Sequence, residues 1–122
     1  MKVYISLPIT GKDLQEQKRH AEGVASFLLA TGFTPVNPFD NGLADDASYE
    51  QHMKADLRLM LDCDAICLCK GYHYSKGCLF ERDVAVKCGM AIVKDTMPID
   101  KIYRILKSKE HEGDKVQGQT PH

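Results

Sequence analysis

Residues 64–70, Asp-Ala-Ile-Cys-Leu-Cys-Lys, carry an apolar side chain at every interior position. A strand with one wet face alternates apolar and polar residues; a strand without that alternation is buried on both faces. Such a strand belongs inside a parallel sheet covered by helices above and below. The flanking sequence suits that layout. Strand-like segments at Lys2 to Ser6, Phe33 to Asn37 and Met90 to Lys94 alternate with amphipathic stretches. Asp13 to Ala30 predicts a helix with Leu14, Ala21, Val24, Ala25, Leu28 and Leu29 on its inner face, closed by Thr31-Gly32. Pro38 to Ala47, rich in Asn, Asp and Gly, predicts a loop. Ser48 to Asp62, Ser75 to Gly89 and Pro98 to Lys107 predict three further helices. Right-handed crossovers then favour an α/β fold: a single Rossmann/flavodoxin-like, doubly wound parallel sheet of about four strands, order 2-1-3-4. Residues 1–107 are expected to form one domain. From Ser108 the sequence is polar and without periodicity, so 108–122 is expected to be a flexible tail.

Composition narrows the function. The 122 residues, 43% hydrophobic and 27% charged, suit one globular domain with one core. A formal net charge of -1 without a basic stripe argues against nucleic acid as a partner. No apolar run approaches the ~20 residues that span a bilayer, and the start enters strand-like sequence without a signal-peptide core. A cytoplasmic protein without a membrane partner is therefore expected. The five cysteines, odd in number and without C-x-x-C spacing, fit a reducing compartment. Cys63-x3-Cys67-x-Cys69 matches no ordinary zinc spacing, so no metal site is expected.

Two acids break the apolar pattern. On a helical wheel of about 100° per residue, Glu81 falls among Gly77, Cys78, Val84, Ala85 and Cys88, opposite Lys76, Arg82, Asp83 and Lys87. Asp56 falls among Tyr49, His52, Leu59 and Met60, opposite the i, i+4 ladder Glu50, Lys54, Arg58 and Asp62. Burying a carboxylate is costly unless it is paired, hydrogen-bonded or protonated. Either acid alone is open to a structural role, capping a loop or pairing with a buried base. Two together, at one end of the sheet, point to chemistry. In doubly wound sheets ligands bind beyond the carboxyl ends of the strands, where strand order reverses. Here that point lies between strands one and three, beside the loops Leu7 to Gly11 and Gly71 to Tyr74, and Glu81 follows the second loop by less than two turns. Ser75 is a natural helix cap, and Gly77 allows close approach of an anion or sugar hydroxyl to the helix start. Thr10 and Gly11 offer contacts on the other side, but Leu7-Pro8-Ile9-Thr10-Gly11 is not a dinucleotide fingerprint. Asn37 before Pro38 ends strand two. His52, Tyr72 and His73 lie near enough to serve as acids or bases.

Paired carboxylates are the tools of glycosyl transfer: one attacks the anomeric carbon, and the other, kept protonated by burial, donates to the leaving group. The order Tyr4, Asp56-Leu57, Asp64, then Ser75-x-Gly77-x-x-x-Glu81 resembles the nucleoside 2-deoxyribosyltransferase superfamily across roughly residues 2 to 94. Met1 to Gly11 is similar to a small branch of it found in bacteria and phages. The resemblance implies that Glu81 is the nucleophile for C1′, Asp56 the acid assisting the departing base, and Tyr4 the residue orienting Glu81. Ser75 stands where transferases often carry Asp for the sugar hydroxyls. Serine there is similar to the deoxynucleoside 5′-monophosphate N-glycosidases, where it helps hold phosphate. Ser6, Pro8, Thr10, Gly11, Asn37, Ser75 and Gly77 are the expected substrate contacts. The resemblance further implies a small-molecule nucleoside or nucleotide partner, no cofactor, and a homo-oligomer in which a neighbour completes the site. The alternative is a non-catalytic nucleotide-binding or sensing module of the same fold.

Overall fold

The structure, a computed structural model, describes the backbone of residues 1–117 and side chains as far as Gly113. Four strands form one sheet: β1 (Lys2–Ser6), β2 (Thr34–Val36), β3 (Ala65–Leu68) and β4 (Ala91–Lys94). Their order is β2-β1-β3-β4 and every pairing is parallel, the doubly wound arrangement expected from the alternation. Helices α1 (Leu14–Ala30), α2 (Tyr49–Leu61), α3 (Lys76–Lys87) and α4 (Ile99–Gln117) cover it. All four residues of β3 are buried, as a central strand of this kind requires.

Side-chain parity along the strands creates two unlike faces. Val3, Ile5, Ala65, Cys67 and Val93 pack with Ala21, Val24 and Leu28 of α1 and Ile102 and Leu106 of α4. Tyr4, Ile66 and Leu68 face the other way, against Met60 of α2 and Ala85 of α3. Ser6 shares the parity of Tyr4, so both hydroxyls of β1 point toward the layer that carries the two acids.

Local signals set the helix starts. Asp13 caps α1 by accepting from the Glu16 N–H, and Ser48 forms a reciprocal capping box with Gln51 at α2. The Ser75 hydroxyl accepts from the Cys78 N–H and starts α3. Gly71, at φ 87°, turns the chain out of the β3 end into a single 3-10 turn, Tyr72–Tyr74. A second 3-10 turn, Pro38–Asp40, stands within the expected loop.

Three expectations need correction. Leu29 is 67% exposed. It lies about 100° round the helix from Leu28, off the stripe made by Ala21, Val24 and Leu28. Cys88 is on the stripe but exposed, because it is the C-cap of α3, where the backbone leaves the helix. The last helix does not stop at Lys107 but runs to Gln117. Polar contacts, not apolar periodicity, fasten this extension: Lys107 meets Glu110 at 3.1 Å, Glu110 meets the N-terminal ammonium at 3.3 Å, and the Lys109 ammonium donates to the Gly89 carbonyl at 2.8 Å. The expected tail beyond Gln117 lies outside the described residues. Among the described residues, no helix is long and apolar enough to cross a membrane.

Candidate active site

A cavity of about 670 Å³ opens at the carboxyl end of the sheet. That volume falls within the usual range for small-molecule sites. Its walls come from the loop after β1, the segment before α2, α2 itself and the first turns of α3. This is the crevice beside β1 and β3, where strand order reverses.

Glu81 and Asp56 both line it, at 4% and 8% exposure. Neither acid has a buried Arg or Lys partner: all the ion pairs among the described residues lie elsewhere. Glu81 is held from the strand side instead. The Tyr4 hydroxyl donates to Oε2 at 2.8 Å and the Ser6 hydroxyl donates to Oε1 at 2.7 Å. Burial pushes the Glu81 carboxyl up to about 7, against the pull of those two donors and with a further push from Asp56. The same burial, with the acids beside it, drives the Tyr4 phenol well above its ordinary value, so Tyr4 stays protonated and serves as a donor.

Asp56 is held from the loop side. The Asn41 amide donates to Oδ1 at 2.8 Å and sits 3.0 Å from Nδ1 of His52. Burial raises the Asp56 carboxyl; the Asn41 hydrogen bond and the nearby His52 draw it part of the way back. The two acids therefore stand in unlike settings, two hydroxyl donors against one amide, within one cavity. Cys78 also lines the cavity, but burial raises its thiol and leaves the weakly nucleophilic S–H form.

Of the other expected contacts, Pro8, Thr10, Ser75 and Gly77 line the cavity. Ser6 does not; its hydroxyl is committed to Glu81 behind the wall. Gly11 and Asn37 are also outside the lining. Gly11 turns the loop at φ 77°, and the Asn37 side chain accepts from the Phe39 N–H and starts the short turn after β2. Gly77 keeps space open: a methyl there would stand 3.4 Å from the Met53 sulfur and 3.7 Å from the Tyr49 hydroxyl. Sequence reasoning missed Asn41. It lies in a segment rich in Asn, Asp and Gly where turn chemistry explains each such residue equally well. Its own Oδ1 does accept from the Leu43 N–H, a turn contact, while its Nδ2 serves Asp56.

Solved structures that share this fold include two enzymes. One is the 2-deoxyribosyltransferase of the psychrotolerant bacterium Bacillus psychrosaccharolyticus, 21% identical with a TM-score of 0.59, the match covering 77% of this chain and 71% of that one. The other is the Clostridium botulinum CMP N-glycosidase BcmB, 23% identical with a TM-score of 0.54, covering 77% of this chain and 67% of that one. No curated protein matches the sequence. The pattern of one family fits residues 1–94, from the first strand to the last, and the chain belongs to that family, described as domain of unknown function DUF4406.

Proposed function

We propose that the protein cleaves or transfers the N-glycosidic bond of a nucleoside or nucleoside 5′-monophosphate, with 2-deoxyribose as the expected sugar. The observation that carries this reading is Glu81: a buried carboxyl in a ligand-sized cavity, gripped by two hydroxyl donors, with a second buried carboxyl on the same walls. Two proteins that share the fold are named for 2-deoxyribosyl transfer and for N-glycoside cleavage of CMP, which supports the reaction class.

In this mechanism ionised Glu81 attacks C1′ of the sugar. The bond from C1′ to the base nitrogen breaks as the new C1′–O ester forms, and Asp56 gives its proton to the leaving base. Water, or a second base, then attacks C1′ and gives a proton to Asp56, which restores its acid form, as Glu81 leaves as carboxylate. Tyr4 and Ser6 fix both carboxylate oxygens, so the nucleophile is aimed before substrate arrives. Asn41 orients Asp56. The start of α3, with Ser75, Lys76 and Gly77 on the cavity wall, suits a 5′-phosphate or a sugar hydroxyl. Tyr49 and Tyr74 line the cavity yet are 49% and 85% exposed, and a second copy of the chain packed there would close the site.

The test is incubation with a mixed pool of deoxynucleosides, deoxynucleotides and CMP, followed by chromatography for released base. Wild-type protein is expected to release base from at least one member, and Glu81→Ala to release none. Equal release by both proteins removes Glu81 from the reaction. A pool member that binds and stays intact would instead favour a sensing module.

A further inference from the structure

The sheet carries a second cluster of chemically active side chains, on the face opposite Glu81. Cys69 and Asp95 each follow the end of a neighbouring strand, β3 and β4. Their backbone N–H groups continue the ladder, Cys69 to the Ser6 carbonyl at 2.9 Å and Asp95 to the Leu68 carbonyl at 3.1 Å. The sheet therefore fixes their spacing. His20 reaches down from the middle of α1, its Nε2 2.6 Å from Oδ2 of Asp95. The His20 ring nitrogen, the Cys69 sulfur and an Asp95 oxygen all lie within 4.8 Å of one another.

We infer that His20, Cys69 and Asp95 form a binding site for a zinc-type divalent cation. Two independent features point there. First, Oδ1 of Asp95 is the only buried side-chain nitrogen or oxygen among the described residues without a hydrogen-bond partner. A buried carboxylate oxygen left unmatched is costly, and a cation supplies the missing partner. Second, the donor set is one imidazole, one thiol and one carboxylate. That mixture suits zinc or cobalt and not calcium or magnesium, which take oxygen ligands. Zinc bonds of about 2.0–2.3 Å place tetrahedral ligand atoms roughly 3.3–3.7 Å apart, so an ion seats when the 2.6 Å contact of His20 with Asp95 opens by about 1 Å and the wider spacings, up to 4.8 Å, draw in by about as much. The Cys69 thiol releases its proton to solvent as the sulfur bonds the metal, and thiolate plus carboxylate then neutralise the two positive charges. Three protein ligands leave a fourth position for water. An entry path exists, since the His20 and Asp95 side chains are 33% and 15% exposed while Cys69 is fully buried. Spacing along the sequence conceals such a site, because its ligands come from α1 and from just beyond the ends of β3 and β4, not from one cysteine run.

The test titrates metal-free, reduced full-length protein with Co²⁺ and then displaces it with Zn²⁺. One equivalent should bind and give a thiolate-to-cobalt charge-transfer band in the near ultraviolet, which Zn²⁺ abolishes. Cys69→Ala should lose the band. His20→Ala should weaken Co²⁺ binding roughly tenfold or more. Cys88→Ser, which removes an exposed thiol elsewhere, should leave the band unchanged. Zn²⁺ should raise the melting temperature of wild-type protein and not that of His20→Ala; this partly exposed helix position keeps the test decisive if Cys69→Ala fails to fold. Absence of the band in wild type, or its persistence at full strength in Cys69→Ala or His20→Ala, would overturn the site.

Discussion

Glu81 is the group whose burial most clearly costs the fold. Its carboxyl titrates near 4.5 in the unfolded chain and about 7 in the folded one. Because the folded value is the higher, the native state holds the proton more tightly. Its contribution to stability is therefore full below the unfolded value and lost as pH rises through about 7. The loss between about pH 5 and about pH 8 should amount to about 2–3 kcal/mol. Glu81→Gln imitates the protonated form and should lack that loss, gaining on wild type as the solution is made alkaline. Denaturant unfolding of both proteins at the two pH values checks this, and parallel curves would contradict it. In the proposed mechanism base release should pass through an optimum, falling at acid pH as Glu81 takes up a proton and at alkaline pH as Asp56 loses the one it donates. Tyr4 and Ser6 act on this group directly. Hydrogen bonds to charged groups contribute about 1.5–3 kcal/mol, so Tyr4→Phe should slow turnover by roughly 10- to 100-fold while leaving the cavity intact. At this scale the sequence was informative about Glu81 and Asp56, because an acid on an apolar stripe conflicts with its surroundings. It was silent about Asn41, whose loop position conflicts with nothing.

At the scale of elements, the helix starts were legible because caps are local. Ser48 with Gln51, and Ser75 before Lys76-Gly77-Cys78, satisfy backbone N–H groups within three residues. The extent of α4 was not legible, because Glu110 and Lys109 answer to the N-terminus and to Gly89, which are distant in sequence. Gly77 joins element to site. It stands in the first turn of α3, where Ala is the better helix former by up to about 1 kcal/mol. Gly77→Ala should therefore leave stability unchanged or slightly raised. The added methyl would take up cavity space, in ordinary contact with Met53 and Tyr49, so the Michaelis constant should rise. Melting curves beside steady-state kinetics separate the two effects, and a lower melting temperature would contradict the packing described.

For the whole molecule, the family pattern ends with β4 at residue 94, yet α4 supplies Ile102 and Leu106 to the core beneath β1, β3 and β4. Leu106 is fully buried, so Leu106→Ala should cost about 2–5 kcal/mol in denaturant unfolding. The sheet order agrees with the one favoured by alternation and right-handed crossovers, and the two acids were picked out by their place on apolar helix stripes. Which loop side chains reach the cavity did not follow, since Gly11 and Asn37 look as available as Thr10 until the backbone turns them elsewhere. In the proposed mechanism Glu81 forms a covalent ester with the sugar, and mass spectrometry of protein quenched during turnover would detect it. A glycosyl adduct on the peptide bearing Glu81, absent in Glu81→Gln, is the predicted result; base release with the adduct on another residue, or by a path that never labels the protein, would contradict it.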